Sequence, residues 1–192
     1  MLGLGTSINT GSVKAGESYP SKVLFERSGN WTSDDTSLTT YRANLSVGTT
    51  EVAGISNYLV MEMTYSGASD ESVTDPKLRI RESDLSGGLS DYFDNNVGGD
   101  YKITAKALWP SSNSGTIGNS SVQPVIGGVG SGQAFGTADT WVTRSNTEAT
   151  EDNDISNDTF PFQVFFLDSD VGEILDGDKM YLTDLKIEFI AD

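Results

Sequence analysis

From Lys179 to Ile190 the side chains alternate between two characters. Tyr181, Thr183, Leu185, Ile187 and Phe189 share one parity, while Asp184, Lys186 and Glu188 share the other. A period of two over that length marks a strand with one buried face. The pattern recurs upstream. In 57–65, Tyr58, Val60, Glu62 and Thr64 oppose Leu59, Met61, Met63 and Tyr65. In 77–82, Leu78 and Ile80 oppose Lys77, Arg79 and Arg81. In 100–109, Tyr101, Ile103, Ala105, Ala107 and Trp109 fall on one face. Shorter strands are predicted at 22–26, 41–47, 121–126, 140–145 and 160–167. That makes about nine strands separated by turn-forming residues, the signature of an all-β, two-layer sandwich.

Between the strands lie two long irregular pieces. Residues 127–136 (GGVGSGQAFG) read as a glycine-rich linker. Residues 148–158 carry Glu148, Glu151, Asp152, Asp154 and Asp158 and read as a solvated acidic loop, with docking onto a basic neighbour as the sharper alternative. A third acidic stretch, 168–178, has the look of a calcium loop but fails on spacing. Its fifth position is Gly172 and its twelfth is Lys179, where a bidentate glutamate is needed. It is read instead as a solvated turn into the last strand, with Gly177 supplying a positive φ. Residues 1–20 are small, polar and glycine-rich, so they are expected to form an extended arm ahead of a domain spanning 21–192. Leu2, Leu4 and Ile8 are the apolar residues that could anchor that arm to a partner. A disordered tail is the alternative.

The chain has 192 residues and a formal net charge of −16. Such a surface repels nucleic acid and anionic membranes and favours cations or basic partners. Neither histidine nor cysteine occurs. A Ser-His-Asp triad, a histidine zinc site, thiolate chemistry and disulfides are therefore excluded. No apolar run approaches the ~20 residues of a membrane span. Residues 1–20 lack a charged region followed by an apolar one, so no secretory signal is expected.

The order of features then carries a resemblance. A Phe-Glu strand (Phe25, Glu26) precedes a turn and Trp31. A Tyr-Lys-Ile-Thr-Ala-Lys strand follows at 101–106, then Thr-Trp-Val-Thr at 140–143, an aromatic strand, and a Gly-Asp-Lys-Met-Tyr-Leu-Thr-Asp-Leu-Lys-Ile ending. This is similar to the galactose-binding-like jelly rolls of the carbohydrate-binding-module 4/9 type, from about residue 22 to the end. The resemblance implies a jelly-roll β-sandwich of about 8–10 antiparallel strands with an extended N-terminal arm. Modules of this pattern are frequent in virion proteins of tailed bacteriophages, and the opening Met-Leu-Gly-Leu-Gly-Thr-Ser resembles the start of small phage structural proteins.

Several candidate sites follow. The family often holds a structural Ca²⁺ near its entry and exit strands, and the matching carboxylates are Glu26 and Asp184. The alternative is that Glu26 pairs with a lysine and Asp184 bonds backbone amides. A sugar site needs aromatic platforms near loops. Trp31, Trp109, Trp141, Tyr41 and Tyr92 are the candidates; Trp31 and Tyr92 lie nearer loops, whereas Trp109 and Trp141 are in phase with strand interiors. Lys77, Arg79 and Arg81 form the only basic stripe. It is either a patch for an acidic neighbour or the polar face of an edge strand.

The expectation is a non-enzymatic virion protein on the capsid surface, a decoration protein docked on the major capsid protein or another virion protein through its arm. Self-association as a homo-oligomer, a trimer before other states, would multiply weak contacts. The alternative is a carbohydrate-binding module, or a tail accessory protein, attached to a host glycan.

Overall fold

Tyr101, Ile103, Ala105 and Ala107 are fully buried, and Lys102, Thr104 and Lys106 between them are not. Alternation of this quality fixes which way the strand faces, and the other strands repeat it. The computed structural model describes residues 19–29, 31, 39–41, 45–50, 60–65, 77–85, 98–117, 120–150, 155, 160–168 and 175–192. These form β1 (Lys22–Ser28), β2 (Thr39–Tyr41), β3 (Leu45–Thr50), β4 (Val60–Tyr65), β5 (Lys77–Ile80), β6 (Asp100–Leu108), β7 (Ser120–Ile126), β8 (Gln133–Ala134), β9 (Val142–Ala149), β10 (Phe162–Asp168) and β11 (Lys179–Ile190).

Two antiparallel sheets result. The first runs β3-β4-β11-β6-β9, with β1 also paired to β11. The second runs β2-β5-β10-β7-β8. Their inner faces meet in one aromatic core. Tyr101 of the first sheet stands edge-on to Phe162 of the second at 6.1 Å and to Phe189 at 6.2 Å. At the other end Trp109 meets Phe166 at 5.5 Å and Phe135 at 5.8 Å. Each such side chain contributes about 1.5–3 kcal/mol by burial, and edge-on ring pairs add about 0.5–1.5 kcal/mol.

One edge of the sandwich is closed by polar side chains reaching from sheet to sheet. On β9, Arg144 donates to the Ala134 carbonyl and Asn146 to the Val129 carbonyl, while Gln133 donates back to Ser145. The glycine-rich segment 127–136 is thus no linker. It turns β7 back into β8, with a bridge between Ile126 and Val129.

The last strand departs from simple alternation. Met180 and Leu182 face inward, then Leu185, Ile187 and Phe189. The register shifts between Leu182 and Asp184, so Thr183 is the extra residue of a β-bulge. Tyr181 therefore faces outward with Asp184, Lys186 and Glu188, contrary to the parity expected from sequence. The bulge falls where β11 changes partner. Residues 179–182 pair with β4, and 184–189 pair with β1.

Trp31 fills the junction. It is buried, and its indole N–H donates to the Thr183 carbonyl at 2.8 Å. The Gly29 N–H donates to the same oxygen at 2.8 Å. The Thr183 hydroxyl beside them is buried without a hydrogen-bond partner.

A second clamp holds the entry of β11. Asp178 is buried and accepts the N–H groups of Ser114 (2.7 Å), Leu175 (2.8 Å) and Gly115 (3.0 Å). Asn113 makes a two-way amide pair with the Lys179 backbone, at 2.8 Å in each direction. The end of the acidic stretch is thus a structural lock rather than a solvated turn, although Gly177 does adopt the expected positive φ of 89°.

Other expectations shift in detail. The strand expected at 41–47 splits into β2 in one sheet and β3 in the other, and the strand at 140–145 moves to Val142–Ala149. Arm residues Leu2, Leu4 and Ile8 lie outside the described residues. Tyr19, near the end of the arm, packs against the core.

Two substitutions at the junction separate its parts. Trp31→Phe keeps a ring but removes a buried N–H···O bond, and is expected to cost about 1–3 kcal/mol in urea unfolding. Thr183→Val keeps the branched shape and removes an unpartnered buried hydroxyl. Its stability is expected to equal or exceed that of the parent.

Candidate functional site

The two outer faces differ in chemistry. On the outer face of the first sheet three lysines each meet a carboxylate. Lys179 meets Glu62 at 3.1 Å, Lys186 meets Glu188 at 2.6 Å, and Lys106 meets Asp184 at 3.8 Å. The register places Glu26 opposite Lys186 and Ser28 opposite Asp184. Glu26 and Asp184 therefore lie diagonally on neighbouring strands. Glu26 accepts from the Ser28 hydroxyl at 3.1 Å. Both expected calcium ligands thus share one face, each beside an ammonium group. Among the described residues no group of three or more acidic side chains gathers around a common point.

Near Glu62 the electrostatics are coupled. The hydrogen bond to Glu62 holds the Lys179 ammonium above its ordinary 10.5. Burial first, and the Glu62 charge second, push the Tyr181 phenol above its ordinary 10.0. At the neighbouring loop the hydroxyl and N–H of Ser111 hold the Asp139 carboxyl below the usual carboxylate range.

The second sheet presents another set. On β5, Leu78 and Ile80 are fully buried, and Arg79, half-buried, with Arg81 just beyond the strand, exposed, takes the outward parity the sequence predicts; the side chain of Lys77 lies outside the described residues. The stripe does not lie on an edge strand, because β5 is flanked by β2 and β10. Two cross-strand rows follow from the register. One runs Thr39, Arg79, Gln163, Val125; the other runs Tyr41, Lys77, Phe165, Gln123. Gln163, Phe165 and Gln123 are half-buried. The Arg79 guanidinium lies over the Phe160 ring, 3.8 Å from its centre, and Arg81 approaches the same ring at 5.8 Å. Gly130 rims the β7 side of the face. A Cβ there would come within 2.6 Å of the Pro124 carbonyl oxygen and 2.9 Å of Val125 Cγ2, so only glycine fits.

A face with ring surfaces, side-chain amides and a stacked guanidinium has the equipment for a polar, ring-shaped ligand. Apolar ring faces take the ligand's C–H surfaces, and amide and guanidinium groups bond its oxygens. The two residues first expected to make such contacts do not supply them. Trp31 is a core residue whose only polar atom is already bonded to Thr183, because the chain leaving β1 turns inward over the bulge. Tyr92 lies outside the described residues. Trp109 is core as expected, while Trp141 is only half-buried, since it precedes the start of β9.

Phe160, Gln163 and Phe165 were missed as site residues. The run FPFQVFFL hides its alternation behind uniform hydrophobicity. Period two nevertheless separates inward Phe162, Val164 and Phe166 from outward Gln163 and Phe165.

The sequence matches no family model, and no curated protein is significantly similar to it. Solved structures do share its architecture. The CBM22-1 xylan-binding domain of Paenibacillus barcinonensis Xyn10C superposes with a TM-score of 0.50 at 11% identity, over 92% of this chain and 99% of that one. The fold is that of the carbohydrate-binding-module jelly rolls. The CBM22-1–CBM22-2 tandem of the same enzyme gives a TM-score of 0.50 at 10% identity, covering 93% of this chain and 48% of the tandem.

Two measurements probe the first sheet's charges. Raised Lys179 and Tyr181 values both mean that the unfolded chain releases these protons first. The stability they contribute is present below their ordinary values and is lost as pH rises past 10.0–10.5. Resistance to urea is expected to weaken in that range, and less steeply in Glu62→Gln and Tyr181→Phe. A calcium site on Glu26 and Asp184 requires a rise in melting temperature with added calcium that Glu26→Gln and Asp184→Asn each abolish. No response to calcium or to EDTA would remove that site.

Proposed function

We propose that this chain is a non-catalytic module that binds a glycan across the outer face of its second sheet. The observation that carries the reading is the Arg79 guanidinium stacked on Phe160 beside Gln163 and Phe165, on a broad and centrally placed strand surface. The carbohydrate-binding-module fold supports it, because solved relatives of that fold include a domain named for binding xylan. Fold alone does not set function, so the weight rests on the side chains of this face.

The sequence puts a virion decoration role first and glycan attachment second. The structural likeness reverses that order, and the anchor residues proposed for particle docking lie outside the described residues. Binding rather than catalysis also fits a chain without histidine or cysteine, whose carboxylates on the first sheet are held by lysines.

A polysaccharide array probed with the purified chain is expected to give a restricted set of hits. Phe165→Ala should weaken binding to them by about tenfold or more, in line with the loss of a ring platform. Retention of no saccharide, or full retention by both Phe165→Ala and Arg79→Ala, would remove the reading.

A further inference from the structure

We propose that the Asn113–Ser114 step is a deamidation site held shut by the clamp at the entry of β11, so that each opening of the clamp exposes the chain to an irreversible change, whatever the second sheet binds. Asparagine is a thermolabile residue, most so before a small one. The backbone nitrogen of the next residue attacks the side-chain Cγ. A C–N bond forms, the Cγ–Nδ2 bond breaks, and the proton of the attacking N–H leaves with the side-chain nitrogen as ammonia. Water then opens the cyclic imide at either carbonyl. The product is aspartate or, with the backbone rerouted through the side chain, isoaspartate. The chain has two Asn-Ser steps, at 113–114 and 119–120. At the first, Asn113 is half-buried and Ser114 is exposed, on the loop between β6 and β7.

In the fold both reacting groups are held. The Ser114 N–H donates to Asp178 Oδ1 at 2.7 Å. A carboxylate accepting that bond stabilises the protonated nitrogen and repels the amide anion that would attack. The carboxamide under attack is tied at both ends, Nδ2 to the Lys179 carbonyl and Oδ1 to the Lys179 N–H, at 2.8 Å each. Turning it toward the Ser114 nitrogen breaks both bonds. Asp178 is buried and also holds the Gly115 and Leu175 N–H groups, so it cannot swing away without giving up three bonds. Deamidation therefore waits on opening of the clamp. Its product cannot rebuild the clamp. A carboxylate at position 113 has no donor for the Lys179 carbonyl, and it sets a second negative charge next to the N–H that Asp178 holds. Isoaspartate lengthens the backbone by one carbon and carries the Ser114 and Gly115 N–H groups out of register with Asp178. Lys179, which opens β11 and pairs with Thr64 of β4, then loses its anchor.

The test follows conversion of Asn113 in the full chain by peptide mass spectrometry and isoaspartate-specific methylation, in mildly alkaline buffer with and without denaturing urea. Unfolded, the two Asn-Ser steps are expected to react at comparable rates, which calibrates the measurement. Folding is expected to slow Asn113 by about tenfold or more. Asp178→Asn leaves the Asn113–Lys179 pair in place. It is expected to restore most of the unfolded rate at Asn113 while near-ultraviolet circular dichroism still reports a packed core. Asn113→Asp installs the product directly and is expected to lower the urea midpoint. Equal rates at Asn113 in the folded and unfolded parent overturn the proposal, and that comparison stands even where Asp178→Asn does not fold. A folded Asp178→Asn chain that reacts as slowly as the parent overturns it too, since the protection then does not come from Asp178. An Asn113→Asp chain as stable as the parent removes the irreversible opening.

Discussion

The carbonyl oxygen of Thr183 is the point on which the first sheet turns. β11 is paired to β6 along one side for nearly its whole length. Along the other side it must serve two strands in succession, β4 and then β1. A regular strand serving both would leave an unfilled notch where one partner ends and the next begins. The bulge at Thr183 bends the strand there and turns its carbonyl toward the gap. Gly29 and Trp31 then close that gap with two hydrogen bonds to one oxygen and a large buried ring. The Thr183 hydroxyl, buried and unpartnered, is the cost of bringing the chain in so tightly at this position.

The locks at the two ends of this arrangement use polar side chains as substitutes for backbone. Asn113 meets the Lys179 peptide as another strand would, donating and accepting at once. Asp178 gathers three N–H groups that no strand reaches. Arg144, Asn146 and Gln133 do the equivalent work at the far edge, where the sheets approach without pairing. A chain without cysteine must fasten its loops by such means, and turns rich in Asn, Asp and Ser supply the groups.

What could be read in the sequence was the part governed by period two. The parity of β6 is correct to the residue, and on β5 Leu78 and Ile80 face inward as expected, because polar and apolar positions there differ sharply in transfer free energy. The faces of β11 were legible only after Thr183, since a bulge leaves no mark in hydrophobicity. Trp31 follows Gly29 and Asn30, and such a setting reads as an exposed turn. Only the tertiary placement of Thr183, more than a hundred and fifty positions away in sequence, brings it inside. Phe165 was concealed for the opposite reason: it is apolar among apolar neighbours, and its outward parity is visible only once Phe162, Val164 and Phe166 are known to point in.

The same logic separates the two outer faces. Lysine and carboxylate in facing positions of a strand ladder find each other, and the face that results is polar, self-satisfied and poorly suited to holding anything else. On the second sheet the register sets Arg79 beside Gln163 and Lys77 beside Phe165. The arginine stacks on an aromatic ring, an arrangement that orders its plane. A sheet surface organised in that way presents ring faces and side-chain amides side by side. That combination, more than the presence of any one aromatic, is what supports the proposal that the second face is the one that binds.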